Sequence, residues 1–111
     1  MTVNFSKILV AIDGSDTSMK AADVGISIAK KHGAKMLVVT AMDPYPEHLH
    51  VSGFRQYYEE ARVKSRDESK KWFEQISKKA KEGGIEVKTE FLDAAPSIVG
   101  AITNYAENEN V

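Results

Sequence analysis

The residues best suited to chemistry in this sequence lie at positions 13–15 (Asp-Gly-Ser), directly after the apolar run of residues 8–12. An apolar run that short, rich in β-branched residues and bounded by turn residues, is typical of a strand buried on both faces of a parallel sheet. After it come a carboxylate, a flexible glycine and a hydroxyl group that can cap a helix. Because ligands of open α/β sheets bind at the carboxyl ends of such strands, Asp13 is the first candidate site residue.

Two further carboxylates, Asp43 and Asp93, each follow another predicted strand. Three acidic residues after strands suit a receiver-like domain, which accepts a phosphoryl group on an aspartate. Receivers usually have two acidic residues together after the first strand, whereas Gly14 and Ser15 follow Asp13 here. A receiver-like phosphoacceptor domain is therefore an alternative interpretation. Incubation with acetyl phosphate and Mg²⁺ tests it, because phosphorylation would increase the intact mass of the protein.

A pair of histidines, His48 and His50, lies in a segment rich in proline and without hydrophobic periodicity. The His-Leu-His spacing could chelate a metal ion, but no third ligand is indicated nearby. The sequence therefore favours a solvated loop over a metal site. Nothing in the chain resembles a nucleophilic triad, so we expect no catalytic residues and no enzyme activity.

Composition narrows the class of protein. The chain has 111 residues, enough for a single domain covering residues 1–111, and 42% of them are hydrophobic and 28% charged. A formal net charge of -1 argues against general electrostatic binding of nucleic acid or anionic lipid. The absence of cysteine excludes disulfides and thiol catalysis. No secretory signal and no apolar run long enough to cross a bilayer is visible, so we expect a soluble, cytoplasmic protein.

The candidate residues must be positioned by elements that alternate along the chain. Apolar runs and alternating patterns predict strands, whereas apolar residues spaced by three or four predict helices. The predicted strands are residues 8–12, 35–42 and 85–91, and the predicted helices are residues 16–32, 54–82 and 97–107. Strict alternation predicts a Rossmann-like α/β fold, and right-handed crossovers place its parallel strands in the order three, two, one. The first strand is then an edge strand, which is an aggregation hazard if uncovered.

The helix predicted at residues 54–82 is longer than the sheet that it must cover. At about 1.5 Å per residue it reaches on the order of 40 Å, whereas a typical strand is about 20 Å long. Its first part is therefore expected to overhang the sheet, and a break between Tyr58 and Ser65 is the alternative. Trp72 and Phe73 in its second part are expected to be core or interface aromatics.

Taken together, these segments resemble the universal stress protein family, particularly its small single-domain archaeal and bacterial members. The resemblance is carried by Lys-Ile-Leu-Val-Ala-Ile-Asp-Gly-Ser at residues 7–15 with the alanine-rich helix after it, by Leu-Val-Val-Thr-Ala-Met-Asp-Pro at residues 37–44, and by Pro-Ser-Ile at residues 96–98. It implies a parallel α/β fold, a homodimer and binding of adenine nucleotide such as ATP or AMP in a stress response.

The resemblance also implies particular site residues. Ala11, Ile12 and Asp13 at the end of the first strand would line a nucleoside pocket, and the backbone of Ala41 at the end of the second strand would meet the adenine edge. A carboxylate at position 13 can accept hydrogen bonds from ribose hydroxyls or an exocyclic amine. The small side chain at position 41 leaves room for a flat base.

One departure from the family pattern concerns the phosphates. The family holds the triphosphate with a glycine-rich loop after a fourth strand, and the present 111 residues contain no match to that loop. Because such loops supply most of the anion binding, we expect weak or absent nucleotide affinity, and a role for Mg²⁺ is left open. The remaining alternative is an oligomerising stress protein that binds no ligand.

Overall fold

The fold was taken from a computed structural model, which describes residues 5–42, 52–92 and 97–111. Within these ranges, three strands and three helices alternate. They are β1 (Lys7–Ala11), α1 (Asp16–His32), β2 (Lys35–Ala41), α2 (Phe54–Glu82), β3 (Val87–Leu92) and α3 (Ile98–Asn108). This confirms the predicted order of elements and the α/β class.

The three strands form one parallel sheet in the order β1-β2-β3, as the right-handed crossovers predicted. The register pairs Lys7 with Lys35 at one end of the β1–β2 ladder and Ala11 with Val39 at the other. On the far side of β2, Ala41 pairs with Leu92 of β3. The central strand is almost wholly buried, and β1 and β3 are the two edges of the sheet that the structure describes.

The prediction that the first strand is buried on both faces is wrong. Residues 7–10 of β1 are only half-buried and Ala11 is exposed. The physical reason is the position of β1 at the edge of the described sheet, where α1 covers one face and no described element covers the outer side. The apolar side chains of β1 that face α1 are therefore covered, whereas the outer edge of the strand is not covered by any described element.

Helices α1 and α2 pack on the same face of the sheet and enclose the main core. The core cluster combines strand side chains with residues from both helices: Ile12, Ala22, Met36, Val38, Phe73 and Ile76. On α1, Ala22 and Ala29 are fully buried and Met19 and Ile26 pack against the core, as expected of apolar residues spaced by three or four along a helix. Burial of these side chains supplies roughly 25 cal/mol per Å² of apolar surface removed from water.

Helix α3 covers the opposite face of the sheet. Leu37 and Val39, which alternate with the core residues of β2, are buried there at 1% and 0% exposure. At the end of α3, Glu109 accepts a hydrogen bond from Lys88 Nζ of β3 at 2.7 Å. Within α3 the buried residue is Ala101, whereas Val99 is 73% exposed.

Helix α2 is continuous over 29 residues, so the alternative with a break between Tyr58 and Ser65 is wrong. Its buried residues all lie at or after Ser69, whereas the first half carries ion pairs within the helix, such as Arg62 with Glu59 at 3.2 Å. The longest dimension of the molecule is 56 Å. The predicted overhang is therefore present.

The third strand begins two residues later than predicted. The Ile85 backbone N–H donates to the Ala80 carbonyl at 2.9 Å, which keeps this residue in the turn that ends α2. Strand pairing therefore starts at Val87.

Candidate functional site

The turn after β1 is held by side chains of the residues that follow it. Asp13 Oδ1 accepts a hydrogen bond from the Ser15 backbone N–H at 2.9 Å. The Ser18 hydroxyl accepts one from the Asp13 backbone N–H at 3.3 Å and donates to the Ser15 carbonyl at 3.0 Å. Such bonds between short polar side chains and nearby backbone fix a turn locally. The turn therefore presents Asp13 in a defined position.

Ser15 is the N-cap of α1, as its position predicted. Its backbone is extended, with φ at -70° and ψ at 158°, and its Oγ accepts a hydrogen bond from the Ser18 backbone N–H at 3.1 Å. This bond satisfies one of the free N–H groups of the first helical turn. The hydroxyl is thus engaged in helix capping.

The carboxylate of Asp13 is exposed and charged at neutral pH. Hydrogen bonding with Ser15, through its hydroxyl and its backbone N–H, and with the Ser18 hydroxyl lowers the pKa of Asp13 below its ordinary value of 3.8. The second carboxylate oxygen has the lone pairs needed to accept further hydrogen bonds. Asp13 is therefore both a turn residue and a group available to a ligand with hydroxyl or amine donors.

Ala11 and Ile12 occupy opposite faces of the sheet. Ile12 is 4% exposed within the core cluster, and its backbone N–H donates to the Val39 carbonyl at 2.8 Å. Its side chain is therefore packed in the core and cannot contact a ligand. Ala11 is exposed and points to the face that α3 partly covers, so the surface near the turn is lined there by a small apolar side chain.

The sheet register brings the end of β2 level with this turn. The β1–β2 ladder ends with the pair Ala11 and Val39, and Asp13 and Ala41 each follow a member of that pair by two residues. Adjacent strands are about 4.8 Å apart, which is within the span of one nucleoside. The side chain of Ala41 is half-buried and lies on the same face as that of Ala11. The predicted site residues thus lie at the carboxyl ends of two adjacent strands, and Ile12 can offer a ligand only its backbone, because its side chain is buried in the core.

Trp72 of α2 contacts the same turn from the other face, which the sequence did not reveal. A Cβ placed on Gly14 would lie 2.1 Å from Trp72 Cζ2 and 2.3 Å from Cε2, so the indole rests against the glycine backbone. Gly14 also has a φ of 83°, in the left-handed region. Trp72 packs against the core cluster as well, which confirms it as a core aromatic and makes it the residue that ties α2 to the turn.

Several predicted features fall outside the described residues. These are the two histidines of the loop, the other two acidic residues after strands and the turn before α3: His48, His50, Asp43, Asp93 and Pro96. Within residues 5–42, 52–92 and 97–111, no three His, Cys, Asp or Glu side chains are grouped to hold a metal ion. In the same ranges, no helix has the length and apolar character needed to cross a membrane.

We expect Ser15→Ala to lower the free energy of unfolding by about 1 kcal/mol, because the Ser18 N–H loses its cap. Urea denaturation measures the change. Ser27→Ala is the matched control, since the Ser27 hydroxyl only donates to the Asp23 carbonyl within the exposed side of the helix. Equal effects of the two substitutions would contradict the capping role.

This chain is similar in sequence to known proteins of one family. The family model described as "Universal stress protein family" matches residues 4–111. The protein named "Universal stress protein YxiE" of Bacillus subtilis (strain 168) is 30% identical over an alignment of 120 positions, which covers 96% of this chain and 74% of that protein.

Solved structures share the fold. The structure of universal stress protein UspA from Lactobacillus plantarum superimposes with a TM-score of 0.83 at 20% identity, covering 98% of this chain and 73% of that one. A structure titled as a universal stress protein in complex with cAMP has a TM-score of 0.64 at 22% identity, over 98% of this chain and 69% of that one. Identities this low carry the fold alone.

Proposed function

Because the chain belongs to the universal stress protein family, we propose that it is a regulatory module that binds adenine nucleoside at the turn of residues 13–15 and the end of β2. The observation that supports this proposal is the register, in which Asp13 and Ala41 each follow the last residue pair of β1 and β2 by two residues, at the carboxyl edge of adjacent strands. That edge is where parallel α/β sheets bind ligands. The cAMP bound to a structural neighbour is an adenine nucleotide, which supports this choice of ligand class.

Each site residue has a role in the proposal. The exposed Asp13 carboxylate accepts hydrogen bonds from ribose hydroxyls, and charge makes such bonds about twice as strong as neutral ones. The backbone at Ala41 meets the edge of the base. The side chains of Ala11 and Ala41 are small and lie on one face of the sheet, which suits a planar ring. No step of bond making or breaking is assigned, so the proposed role is binding and not catalysis.

Phosphate contributes little to binding in this proposal. The N-terminus of α1 lies beside the turn, and helix N-termini attract anions. Here, however, the Ser15 hydroxyl already accepts a bond from the Ser18 N–H, and Asp16 places a negative charge in the first turn. Together with the charge of Asp13, this opposes a phosphate group at the same place. The base and ribose then dominate recognition.

Calorimetric titration of the 111-residue chain with adenosine and with ATP tests the proposal. We expect both ligands to bind with a Kd on the order of 1 mM and within about threefold of each other. Asp13→Asn keeps an oxygen for the turn but removes the charge, and it should weaken binding about tenfold. Asp67→Asn on the exposed face of α2 is the matched control and should leave the Kd unchanged. Absence of binding by either ligand would contradict the proposal.

A further inference from the structure

The outer edge of β3 carries backbone groups that do not bond to β2. The Met36 N–H donates to the Glu86 carbonyl and the Met42 N–H donates to the Leu92 carbonyl, at the two ends of the β2–β3 ladder. In a parallel ladder, alternate residues of a strand bond to the same neighbour. The even-numbered residues of β3 therefore bond to β2. The backbone groups of residues 87, 89 and 91 point outward, where no further strand lies among the described residues.

A cleft lies beside this edge on each face of the sheet. The cleft between β3 and α2 has a volume of about 380 Å³, and the cleft between β3 and α3 has a volume of about 290 Å³. Glu90 and Phe91 line both clefts, so the two clefts flank the same stretch of the strand. Because side chains of an extended chain point alternately to the two faces, a segment laid along this edge places them in the two clefts in turn.

The cleft on the α2 side is lined by two cations, Arg66 and Lys70. The Arg66 guanidinium lies over the Phe91 ring, 5.3 Å from its centroid, which holds this charge beside the strand. Lys70 Nζ lies 3.9 Å from Asp67 Oδ1, and both side chains are exposed, so this ion pair is weak. The α2-side cleft therefore favours an acidic side chain.

The cleft on the α3 side has the opposite character. Alternation along β3 directs the exposed Glu90 side chain towards α3. The neighbouring cation on this face, Lys88, is bonded to Glu109 at 2.7 Å. Leu92 and Ala101 add apolar surface, and α3 also contributes two uncharged asparagine amides. This cleft therefore suits an apolar side chain and repels an acidic one.

We propose that the outer edge of β3 binds an extended segment of a partner protein in which acidic and apolar residues alternate. The segment adds a strand to the sheet through the outward N–H and C=O groups of residues 87, 89 and 91. Its acidic side chains lie beside Arg66 and Lys70, and its apolar side chains lie against Leu92 and Ala101. Strand addition at an exposed sheet edge is a recurrent mode of peptide recognition, in which the backbone gives affinity and the side-chain clefts give specificity.

The charges on the two faces select one register of the segment. A shift by one residue moves every side chain to the other face. In the shifted register the acidic side chains leave the two cations and face Glu90 instead. Attraction on one face and repulsion on the other thus act together. Neither cleft is lined by a residue of the proposed nucleoside site, so this inference does not depend on nucleotide binding.

Fluorescence polarisation of a labelled pentapeptide, acetyl-Val-Glu-Val-Glu-Val-amide, tests the charge preference. We expect a Kd on the order of 100 μM. The peptide with lysine in place of both glutamates should bind more than about tenfold more weakly, and Lys70→Glu should weaken binding of the acidic peptide about fivefold. Lys78→Glu is the matched control, because it makes the same change of charge on an exposed part of α2 outside the cleft. Absence of binding by the acidic peptide, or equal binding of both peptides, overturns the proposal.

Amide hydrogen exchange of the wild-type chain tests where and how the same peptide binds. At saturating acidic peptide, we expect exchange at residues 87, 89 and 91 to slow at least about tenfold, because their outward N–H groups gain partners. The amides of residues 88 and 90 already bond to β2, so their exchange should change less. Exchange at residues 11–15 should stay unchanged, which separates this result from the outcome of adenosine titration. Protection along β1 instead of β3, or protection at neither edge, overturns the assignment.

Discussion

Replacing Gly14 with alanine is expected to lower the free energy of unfolding by about 2–4 kcal/mol. Two effects add. A side chain at a φ of 83° costs about 1 kcal/mol or more, because L residues rarely adopt this backbone conformation. The new Cβ would also lie 2.1 Å from Trp72 Cζ2, so the indole or the turn must move at a cost of about 1–3 kcal/mol. Thermal or urea unfolding measures the sum.

Two controls separate these effects. Gly33→Ala has the same kind of backbone, with a φ of 62°, but its Cβ meets no atom within 4 Å, so only the backbone cost of about 1 kcal/mol is expected. In the Trp72→Ala variant, Gly14→Ala should lower the free energy of unfolding no more than Gly33→Ala does. If Gly14→Ala and Gly33→Ala cost the same in the wild-type chain, the contact between the turn and Trp72 is refuted.

Replacing Ile76 with alanine is expected to lower the free energy of unfolding by about 2–5 kcal/mol. Ile76 is 1% exposed in the core between α2 and the sheet, so the substitution removes buried methyl groups and leaves a cavity. Val63 lies on the overhanging first half of the same helix and is 53% exposed. Val63→Ala should change stability by less than about 0.5 kcal/mol.

The contrast between these two positions tests how α2 is anchored. Chemical denaturation of both variants gives the two values under the same conditions. If Val63→Ala lowered the free energy of unfolding as much as Ile76→Ala, the first half of the helix would have to pack against the rest of the molecule. That result would contradict the overhang.

Local patterns allowed much of the fold to be predicted. The apolar run of β2 predicted a strand, and apolar residues spaced by three or four predicted the helix α1. The alternation of elements with right-handed crossovers predicted the strand order. Ser15 was predictable as a cap because capping depends on residues that are close in sequence. Element ends were less accurate, because Ile85 bonds back to Ala80 and delays the start of β3.

The packing of α2 could not be predicted in the same way. Ser69 is 1% exposed although it is polar, because its hydroxyl donates to the Arg66 carbonyl at 2.7 Å and so needs no partner elsewhere. The contact between Trp72 and Gly14 joins residues far apart in the chain. Helical spacing indicates which face of α2 is buried, but it does not give the residue that each side chain meets. The part of the site formed by this contact was therefore missed.

The central claim is that the turn of residues 13–15 and the end of β2 form one ligand site. Titration of the ¹⁵N-labelled chain with adenosine, followed by amide chemical shifts, tests it most directly. We expect the largest shifts on residues 11–15 and on Ala41, with the Trp72 Nε1–H shifting as well, and we expect Asp13→Asn to weaken binding as reported by all of these signals. Shifts confined to other parts of the molecule, or an unchanged spectrum at saturating adenosine, would contradict the claim.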